Sequence, residues 1–192
     1  GEPLSPPGDT GAQDSITADT VPYEAFRGEA PAGLDKSISS GIYMSGNWTY
    51  TLNPNAAGGP RAYVTLGAIN NTSLIGYVTG TLRLELWITT TPPAFQGASF
   101  FGTRLAIFPN NGQLAPGYSF ININGNAAYN IPSYGTYWVV LMLAEYIPGY
   151  CSNPDSFCMV DNVTSAGTAT IGNSALNVFT NGTGSGTVTG VQ

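Results

Sequence analysis

Residues 79–89 alternate strictly: Leu82, Leu84, Leu86 and Ile88 fall on one side of an extended chain, and Thr81, Arg83, Glu85 and Trp87 on the other. A period of two belongs to a β-strand with two different faces. The same texture recurs along the sequence in segments separated by Gly, Pro and Asn clusters. Residues 41–52 carry Trp48, Tyr50 and Leu52 at alternate positions, and the turn-rich stretch 53–60 leads into 61–69, so a hairpin is predicted there. Further strands are predicted over 99–108, 118–123, 157–163 and 174–180. Residues 135–147 are apolar at nearly every position, the pattern of a strand covered on both faces. No segment sustains a helical period. The expected fold is all-β: a β-sandwich of jelly-roll or immunoglobulin-like connectivity with roughly eight to ten strands.

Composition supports this and adds a division of the chain. Only 8% of the 192 residues are charged, against about 25% in an average domain, and the polar residues are mostly Thr, Asn, Ser and Tyr, which suit strands and turns. The few charges are unevenly placed. Residues 1–40 hold Glu2, Asp9, Asp14, Asp19, Glu24, Glu29 and Asp35 against Arg27 and Lys36, a net of −5. Residues 41–192 hold Glu85, Glu145, Asp155 and Asp161 against Arg61, Arg83 and Arg104, a net of −1. The first segment, with Pro3, Pro6, Pro7, Pro22 and Pro31, reads as an extended acidic arm, and the second as a β-sandwich domain ending in a Gly/Thr-rich tail. Such an arm cannot bury enough apolar area to offset its ordering entropy alone, so it orders only against its own body or a neighbouring molecule.

The chain has no histidine, which removes Ser-His-Asp and Cys-His catalysis, His-ligated metals and imidazole pH switches. A net charge of −6 without a basic cluster argues against a nucleic-acid partner. The longest apolar run, residues 137–144, is far below the roughly 18 to 20 residues of a membrane span. The start at Gly1 reads as a processed chain.

Cys151 and Cys158 bracket a Pro-containing turn and are expected to form a disulfide in an oxidising compartment. Sequons at Asn47, Asn70, Asn71, Asn162 and Asn181 are candidate glycosylation sites. Glu85 and Glu145 are the only carboxylates placed for paired acid-base chemistry, but Arg83 and Arg104 near Glu85 favour ion pairing. Asp155, Asp161, Asn153 and Asn162 offer oxygen ligands for calcium without the Asp-x-Asp-x-Asp run that would specify it, and a turn held by Asx hydrogen bonds suits them better. Neither a catalytic residue nor a cofactor is predicted. Trp48, Trp87, Tyr134 and Tyr150 are candidate sugar-stacking platforms.

A monomer surface normally carries about 25 to 35% charged residues, so a body this neutral is expected to be covered by neighbouring subunits or glycans. The expected function is therefore an extracellular structural subunit that assembles with itself into a filament or surface layer through strand addition by a terminal segment. In the N-terminal arm Ile16, Val21, Tyr23 and Phe26 are the candidate donor anchors; residues 186–192 of the tail, with Val188, are the second choice. A secreted carbohydrate-binding module with a surface polysaccharide as partner is the alternative. Residues 81–87 (TLRLELW), 112–120 (GQLAPGYSF) and 136–146 (TYWVVLMLAEY) resemble a pattern in uncharacterised secreted bacterial proteins, sometimes appended to larger enzymes. The resemblance covers roughly residues 41–165; it implies a secreted β module and carries over no site.

Overall fold

The structure is a computed structural model that describes residues 41–73, 76–151 and 153–172, together with the backbone of Tyr23–Ala25. Its eight strands are β1 (Tyr23–Ala25), β2 (Ile42–Asn53), β3 (Arg61–Asn71), β4 (Leu82–Thr89), β5 (Phe100–Ile107), β6 (Ser119–Ala128), β7 (Gly135–Tyr146) and β8 (Phe157–Ile171). They form two antiparallel sheets, one in the order β1-β5-β4-β7-β8 and one in the order β2-β3-β6. The arrangement is sandwich-like, and no helix occurs among the described residues.

The alternation in β4 decides how the layers meet. Leu82, Leu84, Leu86 and Ile88 enter one core with Val64, Leu66 and Ile69 of β3 and Leu141 and Leu143 of β7. Complete burial of each such side chain is worth roughly 1.5–3 kcal/mol, so this shared cluster is what holds the two sheets together. Trp87 faces the other way, into a smaller cluster with Phe100, Val140, Met142 and Met159. The larger sheet is therefore dry on both sides, which is why β7 is apolar at successive positions and buried without interruption from Val139 to Glu145.

The predicted hairpin is β2–β3, running in register from Ile42↔Asn71 to Asn53↔Arg61 with a bulge between Ser45 and Trp48. Two strands run beyond their predicted ends. β6 continues through Gly125 because that glycine makes room for a core ring: a Cβ there would sit 2.7 Å from the Phe108 ring and 2.8 Å from Val64. β8 continues to Ile171 because the first half of β7 needs a partner for its backbone groups, and Gly135↔Ile171 supplies its end. The predicted strand over 174–180 lies outside the described residues.

Candidate functional site

One edge of the larger sheet already receives a piece of the arm. Tyr23, Glu24 and Ala25 pair antiparallel with Gly102, Phe101 and Phe100 of β5. Of the expected donor anchors only Tyr23 falls in this strand; Ile16, Val21 and Phe26 lie outside the described residues, as does the tail with Val188. The other end of β5 is bridged to the smaller sheet, where Asn130 donates to Leu105 at 3.0 Å and Ala106 pairs with Tyr129. Among the described residues, no strand pairs with the outer edges of β2, β6 or β8.

Behind β5 lies a buried charge cluster. Arg83 pairs with Glu85 and with Asp155, and Arg104 reaches the same two carboxylates at 3.5 and 3.4 Å. The indole Nε1 of Trp87 donates to Glu85 at 2.9 Å, and the Arg83 guanidinium lies 3.7 Å over the Phe157 ring. Asp155 also accepts from the backbone N–H of Phe157 at 3.2 Å, the Asx turn expected there. Burial alone would raise the Asp155 pKa, but hydrogen bonds from Arg83 and Phe157 and the charges of Arg83 and Arg104 prevail and hold it below the usual carboxylate value. Asp155 and Phe157 sit within the loop closed by the Cys151–Cys158 disulfide, so that bond staples the cover of this cluster. The ion pairing of Glu85 was legible in the sequence; Asp155 as the second acceptor was not.

Glu85 and Glu145 do not form a pair. Glu85 stands opposite Met142 on the outer face of the larger sheet, while Glu145 stands opposite Leu82, whose side chain points into the shared core. Glu145 is fully buried and accepts from Tyr77 Oη at 2.7 Å and the Gly80 N–H at 2.6 Å. Its second oxygen has no hydrogen-bond partner. Desolvation by burial raises its pKa more than the Tyr77 and Gly80 bonds lower it, and the Tyr77 phenol is raised as well. The native state thus holds this proton at a pH where the unfolded chain has lost it. Stability from Glu145 is complete below the ordinary carboxylate range and is lost as pH rises through the native value. Glu145→Gln removes the ionisation while keeping an acceptor oxygen. The variant is expected to exceed the wild type in urea midpoint near pH 7 and to lose the advantage on acidification; equal midpoints from about pH 4 to about pH 8 would refute this.

Asp161 and Asn162 serve the fold rather than a cation. Asp161 accepts from the Met44 N–H at 2.7 Å, from Gln96 Nε2 at 2.8 Å and from the Asn162 N–H at 2.9 Å. Asn162 donates to the Ala98 carbonyl at 2.7 Å, and Asn153 to the Phe157 carbonyl at 2.6 Å. Among the described residues, no three His, Cys, Asp or Glu side chains come together as a metal site.

The sequons divide by burial. Asn47 is exposed and Asn70 half-buried. Asn71 and Asn162 are fully buried, and the Asn71 amide donates to the carbonyls of Tyr77 and Leu114, both at 2.8 Å. A glycan on either nitrogen is incompatible with these bonds, so the motif at these two positions marks buried amides in the fold. Asn181 lies outside the described residues. Among the proposed stacking platforms Trp87 is buried and Trp48 is half-buried, stacked on Tyr50 at 5.7 Å, while Tyr134 is exposed.

Compared with protein-family models, curated proteins and solved structures, the chain matches none. Its function has to be argued from its own residues.

Proposed function

We propose that the protein is an extracellular structural subunit that assembles with itself into a filament or surface layer, the arm strand of one copy completing the β5 edge of the next. The observation that supports this reading most is the pairing of Tyr23–Ala25 with Phe100–Gly102. Backbone hydrogen bonds to a sheet edge are the same whether the added strand comes from the same chain or from another. Residues 26–40 connect β1 to the body, and fifteen extended residues reach at most roughly 50 Å, enough to pass the strand to an adjacent copy.

The outer face of the smaller sheet fits an assembly surface. Tyr43, Thr49, Thr51, Tyr63, Thr65, Asn124 and Asn126 are exposed there, and Thr49 and Thr65 hydrogen-bond across the strands at 2.8 Å. Arg61 is the only charged residue in β2, β3 and β6, so two such faces meet with little repulsion. The disulfide and the absence of a membrane-crossing helix among the described residues are compatible with secretion.

Electron microscopy of the full chain tests the reading, with a variant lacking residues 1–30 beside it. Regular fibres or sheets are expected from the full chain and only dispersed, folded monomers from the variant. Fibres from both would remove the arm's role. Dispersed particles from the full chain that are retained on polysaccharide would move the assignment to a carbohydrate-binding module.

A further inference from the structure

The side of the sandwich formed by β2 and β8 is closed at one end and open at the other. Near Met44 it is sealed by side chains: Asp161 accepts from the Met44 N–H, and Gln96 donates to the Met44 carbonyl at 3.1 Å and to Asp161. Together these two side chains supply the bonds that a neighbouring strand would give the β2 edge. Past the bulge between Ser45 and Trp48 no such seal exists among the described residues, and a cleft of about 300 Å³ opens, lined by Tyr50, Leu52, Tyr129, Ile131, Ala169 and Ile171 among others. Trp48, Tyr50, Leu52, Ala169 and Ile171 all pack against the core but are only partly buried. The cleft has the width of a missing strand and apolar walls on both sides.

We propose that residues 174–180 of the same chain seat in this cleft, folding back at Gly172 and Asn173 to pair with the outer edge of β8. Gly172 stands at the lip of the cleft with φ +110°, where a Cβ would lie 2.5 Å from the Ser133 carbonyl oxygen and 2.6 Å from that of Pro132. Glycine is therefore required there, and a Gly-Asn pair is a two-residue hairpin turn. That turn fixes the register: Ser174 faces Ile171, Leu176 faces Ala169 and Val178 faces Gly167. Residues directly opposite share a face, and Ala169 and Ile171 point into the core side. Leu176 and Val178, separated by Asn177, are thus delivered to the wall carrying Tyr50 and Leu52. A one-residue slip would instead turn Asn177 inward. The sequence, the turn and the cleft agree on one register, and the seat is independent of the arm strand on β5.

The register is tested by introducing Thr170→Cys together with Ala175→Cys in the full chain. Opposite residues of a non-hydrogen-bonded pair have Cα atoms about 4.5 Å apart, within the roughly 4.4–6.8 Å of a disulfide. An added disulfide within one chain is expected, in several-fold excess over the out-of-register pair Thr170→Cys with Leu176→Cys. No bond, equal yields from the two pairs, or bonds only between chains would overturn the proposal, the last assigning the seat to a second copy. Leu176→Asp with Val178→Asp is expected to red-shift Trp48 emission and raise uptake of an apolar dye, the shift disappearing in a Trp48→Phe background. Unchanged emission would also overturn it.

Discussion

Arg83→Met is expected to cost the protein about 3–5 kcal/mol, the penalty for removing one partner of a buried ion pair. Arg83 and Glu85 are both almost fully buried. Glu85 would keep the Trp87 indole and the more distant Arg104 but lose its closest cation, leaving a charge in the interior with too little to offset its desolvation. Deleting the charge as well should return part of the loss. Arg83→Met with Glu85→Gln is expected to be more stable than Arg83→Met alone, because glutamine still offers Trp87 an acceptor and carries no charge. Urea unfolding of the two single variants and the double variant measures the coupling. If Arg83→Met costs less than about 1 kcal/mol, the cluster is no more than a surface-type pair.

The same substitution changes the response to acid. Asp155 is held below its ordinary pKa, with Arg83 the leading contributor that lowers it, so its contribution is present above the usual carboxylate pKa and lost as pH falls through the native one. Without Arg83 that loss should shrink, and the stability of the variant should depend less on pH in the acid range.

What the sequence made legible follows from how local each signal is. The faces of β4 could be read because alternation in eight residues needs no knowledge of the partner, and the Glu85 ion pairing because Arg83 lies two positions away on the same face. The reach of β6 and β8 could not. Asn124, Gly125 and Asn126, and the Thr, Ser and Gly residues of the second half of β8, look like turn chemistry when read alone. They are strand because Phe108 needs the space above Gly125 and β7 needs a ladder partner. Asp155 escaped for a related reason: its bond to Arg83 joins residues 72 apart in sequence and depends on a loop folding over the sheet. The sequons at Asn71 and Asn162 show the converse, since a three-residue motif carries no information on burial. The partner of the arm was equally out of reach, because nothing in residues 23–25 specifies β5 rather than any other edge.

Asp161→Ala should be the second most damaging single change. Its carboxylate joins β8 to β2 and to residue 96, so its removal takes the acceptor from the Met44 N–H, the Gln96 amide and the Asn162 N–H. A buried donor left unsatisfied costs about 1–3 kcal/mol; partial rearrangement of Gln96 leaves an expected loss of roughly 3 kcal/mol. Asp161→Asn is informative because it keeps the size while turning one acceptor into a donor. Facing the Met44 N–H and Gln96, that amide would set donors against donors, so the variant should be nearly as unstable as Asp161→Ala. Gln96→Leu removes only the second half of the seal and should cost about 1 kcal/mol. Hydrogen exchange localises the effect: the Met44 amide should lose protection in both Asp161 variants, while the Leu141 amide in the centre of the larger sheet changes only with global stability. A Met44 amide that stays protected in Asp161→Ala would mean that the β2 edge is held by something other than this carboxylate, and the contrast between a sealed and an open end of the β2–β8 side would lose its basis.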